Sequence, residues 1–425
     1  MTAAVFVFSL LGAMALGMPI AFALIVCAVC LMMLGGQFDT TILSQKIIEG
    51  ADSFPLLAIP FFMLAGELMN AGGISKRIVN FALAWVGHIR GGLGIVAIIA
   101  AVIMAAISGS AAADAAALSS MLIPMMRKAG YNIPRSAGLI SAGGVIAPVL
   151  PPSIAMIVFG VIANVSIGKL FMAAIVPGLL MGVSLLIAWL IVARKDKVAI
   201  LPRMPMKQRF VVMFDSLLAL VMPLGIVGGM KMGIVTPTEA AVAAAVYAFV
   251  VGKFVYGELR WNQVYPILVN AAKTTAVVVF LIATALVSGW LITASDIPDQ
   301  VSAMLEPFID SPILLMFIMM ALVVVVGTAL DFAPTLLILT PVLMPIVKQA
   351  GIDPVYFGVL FIMNNAIGLI TPPVGIVLNV VCGAAKLRMS ELMKGIWPFM
   401  FAELVVLFLL VLFPSIVLVP LKWLM

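Results

Sequence analysis

Charge is what this 425-residue chain has least of: 9% of its residues are charged and 65% are hydrophobic. A soluble domain carries about 25% charged residues, so this chain cannot cover its own surface with polar groups. Disorder is excluded by the same numbers, because it needs low hydrophobicity and high net charge. Histidine occurs once, as His88, and cysteine three times. A zinc site or a histidine-based proton relay therefore has almost no ligands to draw on. Cys27 and Cys30 form a CxxC inside an apolar run, where small packing residues are expected, and Cys382 has no evident partner. The chain has no GxxxxGK(S/T) phosphate loop, which disfavours ATP-driven pumping. No Lys or Arg precedes Lys46, so the N-terminus lacks the basic region of a cleaved leader and reads as a retained span. A membrane β-barrel fails as well, since the apolar runs are long and unbroken rather than alternating.

What is present is a polytopic all-α membrane protein. Its net charge of +6 matters less than its placement. Arg194, Lys195, Lys197, Arg203, Lys207 and Arg209 crowd one loop between apolar segments 170–193 and 211–230. Basic loops stay in the cytoplasm, so 194–210 is placed there. Segments 4–34, 54–72, 170–193, 211–230 and 397–420 read as ordinary spans of the roughly 20 residues a bilayer needs. Residues 39–53 read as an interfacial segment. Trp397 and Trp423 bracket the last span as interface anchors.

Four further apolar segments are broken near their midpoints. Segment 94–126 breaks at Ser108-Gly109-Ser110, and 136–168 breaks at Pro148, Pro151 and Pro152. Segment 311–346 is expected to break at Gly327-Thr328, and 355–385 at Thr371-Pro372-Pro373. Each half is about 15 residues, or about 22 Å of helix, short of the roughly 30 Å of hydrocarbon. The segments are therefore re-entrant hairpins or spans unwound in the middle. Unpaired backbone at that depth is tolerated only where it lines a cavity or binds something.

The interruptions also recur. Pro124 pairs with Pro345, Gly130 with Gly351 and Pro151 with Pro372, each at an offset of 221. Gly109 aligns with Gly327, Asp114 falls near Asp331, and 61–74 weakly echoes 284–297. Paired discontinuous segments in two repeated halves are the best sequence pointer to a secondary transporter with its site at the repeat interface. The expected fold is two inverted repeats, each with a re-entrant hairpin and a broken helix.

The interruptions supply the candidate chemistry. Ser108 and Ser110 offer hydroxyls, and Gly109, Gly144, Ala147 and Pro148 offer backbone carbonyls, which are hard ligands for a hard cation such as Na⁺. Gly327, Thr328, Gly368, Thr371 and Pro373 are the equivalent metal candidates in the second half. Serine and glycine also allow close helix packing, and one proline alone is a kink; recurrence in both halves favours function. The next half-helix N-terminus offers amides to an anion. Pro152, Ser153, Asn164, Asp331, Asn364 and Asn365 are the substrate-binding candidates on this reading. Asp114 and Asp331 follow the breaks, where a carboxylate either attracts a cation or, more simply, caps orphan amides.

Several segments together resemble the large membrane subunit of tripartite ATP-independent periplasmic (TRAP) transporters in the ion-transporter superfamily. They are GADSFPLLAIPFFMLAGELMNAGGISKRI (50–78), SGSAAADAAAL (108–118), APVLPPSI (147–154), GIVTPTEAAVAAAVYA (233–248), LILTPVLMPIVKQAGIDPVYFGV (337–359) and GLITPPVG (368–375). The resemblance implies an elevator-type carrier in the bacterial inner membrane, driven by at least two Na⁺ ions. It implies a separate small membrane subunit of about four spans and a periplasmic substrate-binding protein as partners. Residues 94–168 and 311–385 would form the transport domain. Residues 1–93 and 169–310 would supply scaffold helices, and 386–425 the C-terminal span. The implied substrate is an organic acid, with sialic acid or a related sugar acid nearest in look and C4-dicarboxylates the alternative. A channel built on re-entrant half-helices is the rival from another class. An intramembrane enzyme is disfavoured, since neither His88 nor any cysteine lies near the breaks.

Overall fold

A computed structural model describes the whole chain except residues 1, 37, 195–199, 296–299, 301–305 and 373–374. The described residues contain helices and no strand. Seven helical stretches are long and apolar enough to cross a membrane.

The N-terminal run 4–34 does not form one span. It folds as α1 (Thr2–Ala15) and α2 (Ile20–Leu34), an antiparallel pair in which Cys27 Sγ meets the Ser9 hydroxyl at 3.2 Å. Gly17, at φ +81°, and Pro19 make the turn, since neither continues a helix there. Cys27 is a buried packing residue, as expected. Next come α3 (Thr40–Ala51), α4 (Ala58–Ala71) and the amphipathic α5 (Ile74–Val86). The start of α3 is capped by Asp39, whose carboxylate accepts from Thr41 N at 2.7 Å.

The first broken pair follows. Helices α6 (Gly92–Ser108) and α7 (Ala111–Lys128) form a hairpin, and α8 (Ile133–Gly144) and α9 (Ile154–Ala163) are the halves of a broken helix. Then come α10 (Ile167–Ala193), α11 (Met206–Lys231), α12 (Pro237–Val250, extended by a π turn) and the 34-residue α13 (Trp261–Ala294). The second set is the hairpin α14 (Pro312–Ala329) and α15 (Phe332–Gln349), with the broken helix α16 (Pro354–Gly368) and α17 (Ile376–Ala385). Segment 397–420 is likewise not one span: α18 (Met389–Leu412) stops at Phe413-Pro414, and α19 (Ser415–Leu424) carries Trp423.

The packing repeats with the sequence. α7 packs on α8 and on α17, while α15 packs on α16 and on α9. α8 packs on α18, and α16 packs on α10. Each hairpin thus leans on its own broken helix and on the far half of the other.

The repeats are inverted. Between the hairpins lie α8–α9, α10, α11, α12 and α13, which is five crossings. An odd number makes the second hairpin enter from the opposite face. All nine arginines then fall on one side, from Arg77 through Arg194 and Arg260 to Arg388. By the positive-inside rule that side is the cytoplasmic one, the same rule that places 194–210 there.

Candidate functional site

The first hairpin turns through a residue that only glycine suits. Gly109 sits at φ +62°, and a Cβ there would lie 3.0 Å from Pro152 O. The tip therefore presses on the unwound stretch between α8 and α9. Because that stretch lies midway along a broken span, the hairpin stops at mid-depth and is re-entrant. Ser108 Oγ accepts from Ser110 N at 3.2 Å, and Ser110 Oγ accepts from Ala113 N at 3.4 Å, so Ser110 caps α7. A Cβ on Gly144 would fall 2.9 Å from Ala111 O, which places the last turn of α8 against the first of α7. Ala147 is fully buried next to it, its amide donating to Gly144 O at 3.1 Å.

Ser153 is held by its own loop. Its hydroxyl donates to Pro148 O and accepts from Met156 N at 3.3 Å, closing the unwound stretch and capping α9. Asp114 does not cap. It is 1% exposed beside the Ser108 hydroxyl, and no helix amide donates to its carboxylate. The reason is register: Ser110 already occupies the cap, four residues earlier.

The second hairpin breaks later than expected. α14 runs through Gly327 and Thr328, closed by Leu330 N donating to Val326 O at 2.9 Å, and the break falls at Leu330-Asp331. A glycine within an apolar helix is tolerated when packing holds the turn, and Gly327 is buried against Asn365 and Gly368. Asp331 occupies the N-cap position of α15 without a side-chain capping bond. A cleft of about 10 Å³ lies among Gly327, Asp331, Asn365, Gly368 and Gly375. That is near the space one small ion or water needs. Asn365 Nδ2 donates to Phe332 O at 2.7 Å, and Thr371 Oγ1 to Ile367 O at 2.9 Å.

Two substrate candidates lie apart from these tips. Asn164 is exposed at the far end of α9, where its left-handed φ of 54° stops the helix. Asn364 is buried and donates to Met320 O at 2.7 Å, joining α16 to the hairpin arm α14. Pro373 lies outside the described residues.

The two halves meet at a cavity of about 240 Å³. Gly109, Ser110 and Pro148 line it from the first half, and Phe332 and Leu369 from the second. Four half-helix N-termini open on it: Ala111 of α7, Ile154 of α9, Phe332 of α15 and Ile376 of α17. No Lys or Arg lines it. Positive potential there comes from helix amides and dipoles, and from any cation held at the tips. The remaining wall, Met63 of α4 with Val278, Leu281 and Ile282 of α13, was not marked by the sequence. Its one signal was the weak echo of 61–74 in 284–297, which lies on the same two helices. Among the described residues no cluster of His, Cys, Asp and Glu has metal-site geometry.

Comparison with known proteins matches this architecture. Residues 7–416 fit the family model described as tripartite ATP-independent periplasmic transporter, DctM component. The chain is 49% identical, over all of both chains, to the 2,3-diketo-L-gulonate TRAP transporter large permease YiaN of Escherichia coli. It is 37% identical to the sialic acid TRAP transporter large permease SiaM of Vibrio cholerae over 96% of each chain. It is 35% identical to the C4-dicarboxylate large permease DctM of Pseudomonas aeruginosa over 90% of each. Among solved structures, the Alcanivorax borkumensis YdaH transporter shares the fold, with a TM-score of 0.64 over 88% of both chains at 14% identity. The chain belongs to the DctM-component family of large permeases of tripartite ATP-independent periplasmic transporters.

Proposed function

We propose that this permease imports a sugar-acid anion across the bacterial inner membrane, coupled to Na⁺. The convergence of four half-helix N-termini on a cavity without a basic side chain carries this reading. Such a site attracts a carboxylate and lets a bound cation complete its charge balance. Ser108, Gly109, Ser110, Gly144, Ala147 and Pro148 would hold one Na⁺, and the cleft at Gly327, Asp331, Asn365 and Gly368 a second. Hydroxyl, carbonyl and carboxylate oxygens are the donor set a hard cation takes. The ions would supply positive charge beside the carboxylate.

The substrate is narrowed by size and kinship. The relative named for 2,3-diketo-L-gulonate is nearer in sequence than those named for sialic acid or C4-dicarboxylates. A cavity of about 240 Å³ is below the roughly 300–1,000 Å³ of drug-sized ligand sites. Both favour a six-carbon keto sugar acid over nine-carbon sialic acid. The hairpins and broken helices (94–168 and 311–385) would move as one elevator body against α4, α11, α12 and α13. A small four-span subunit and a periplasmic binding protein complete the system.

Uptake into proteoliposomes, with the small subunit and the cognate binding protein, tests this. Diketogulonate uptake should follow an imposed inward Na⁺ gradient and exceed uptake of sialate or succinate. Uptake indifferent to the gradient refutes the coupling. A Ser108→Ala variant with unchanged Na⁺ dependence refutes the first ion site.

A further inference from the structure

Arg209 is 4% exposed, yet no carboxylate meets it among the described residues. Its Nε donates to Met204 O at 3.0 Å, and its Nη2 lies 3.4 Å from His88 Nδ1. The guanidinium stands 6.0 Å from the Trp85 ring centre. These contacts leave its Nη1 edge without a protein partner. Nη1 is not among the buried unpartnered nitrogens, so this edge of an otherwise buried guanidinium opens outward, where an anion can reach it.

Two further arginines stand nearby among the described residues. Arg203 lies close enough to act on His88, and Arg90 of the α5–α6 turn donates to Arg194 O at 3.3 Å. The acid at the cytoplasmic end of α11, Asp215, is engaged by Arg77 at 3.2 Å instead. The Trp85 indole N–H is buried with no acceptor. Desolvation first, then the fields of Arg209 and Arg203, hold the His88 imidazole below its ordinary pKa.

One side of this cluster runs into the exposed apolar face of α11. Phe210 sits edge-on to Trp85 with ring centres 6.5 Å apart, and Phe214 one turn on is 66% exposed. A phosphate held at the arginines would thus have an apolar track for acyl chains beside it, at the depth where tryptophan marks the membrane interface. We propose that the cytoplasmic junction of α5, α10 and α11 binds the phosphate headgroup of an anionic phospholipid, through Arg209 with Arg203 and Arg90.

The single histidine makes the test direct, because His88 is the only imidazole signal in the chain. The full-length permease, ¹⁵N-labelled at histidine, is placed in nanodiscs of phosphatidylcholine alone or with phosphatidylglycerol. An anion bound at Arg209 and Arg203 cancels the fields that hold the imidazole down, so the His88 midpoint should rise by about one pH unit in phosphatidylglycerol. In Arg203→Gln, an exposed change, and in Arg209→Lys, most of that rise should vanish. Native mass spectrometry should show phosphatidylglycerol retained by the parent protein and released by both variants. An equal rise in parent and variants reports only general surface charge and overturns the site. Inorganic phosphate in phosphatidylcholine discs reproducing the full rise overturns the lipid as occupant. Displacement of the lipid on adding the small membrane subunit assigns the arginines to an acidic partner side chain and also overturns it.

Discussion

Gly109 and Gly351 share a backbone conformation and differ in what surrounds them. Both lie in the left-handed region, at φ +62° and +67°, so alanine costs each about 1–2 kcal/mol in backbone strain. A Cβ at Gly351 meets nothing within 4 Å, whereas one at Gly109 meets Pro152 O at 3.0 Å. Gly351→Ala should therefore lower thermal stability slightly and leave transport intact. Gly109→Ala should push the hairpin tip off the unwound loop and reduce uptake at least tenfold at similar stability. Equal uptake in the two variants would show that the tip contact is not functional. Asp114 shows the limit of reading residues one at a time. A carboxylate after a break suggested a cap, but Ser110 holds the cap, and Asp114 is left buried beside the Ser108 hydroxyl. Which side chain wins an amide depends on a register of a few residues, which the pattern of breaks does not specify.

At the scale of elements, the helix breaks were legible because their causes are local. Gly109, with its left-handed φ, and the prolines at 148, 151 and 152 act within a turn of where they stand. The breaks missed were of two kinds. Gly17 and Pro19 were hidden in a run apolar enough to read as one span, and Gly327 was overruled by the packing around it. Ser153 ties the first unwound stretch together, through Pro148 O on one side and Met156 N on the other. Ser153→Ala should lower the melting temperature of the purified permease, by an amount matching about 1–2 kcal/mol for a lost cap and buried hydrogen bond. Ser153→Thr, which keeps the hydroxyl, should recover most of it. On the cytoplasmic face, Arg77 joins α5 to its neighbours through Glu258 at 2.8 Å, Asp215 at 3.2 Å and the Tyr256 ring at 3.6 Å. Arg77→Lys loses the fork geometry and should release α5, seen as faster amide exchange across 74–86.

At the scale of the whole molecule, inversion of the repeats is the feature with the sharpest consequence. Gly130 and Gly351 are equivalent positions in uncrowded turns, and five crossings put them on opposite faces. With Cys27, Cys30 and Cys382 replaced, Gly351→Cys in intact cells should react with an impermeant maleimide. Gly130→Cys should react only after the membrane is opened. Labelling of both from outside would refute the inversion.

The sequence by itself determined the membrane class, the family, the gathering of basic residues in one loop and the recurrence of the breaks. Composition, helix-breaking and charge bias act over short stretches of chain, so they can be read along it. Only the tertiary structure decided that α1 and α2 fold back, that the second tip lies at Leu330-Asp331, and that four helix N-termini open on one cavity. The last of these depends on segments more than two hundred residues apart packing together, and the second tip on Gly327 packing against Asn365 and Gly368 of another helix. Chemistry within a turn specifies where a helix must stop, but not which remote helix its open end will face.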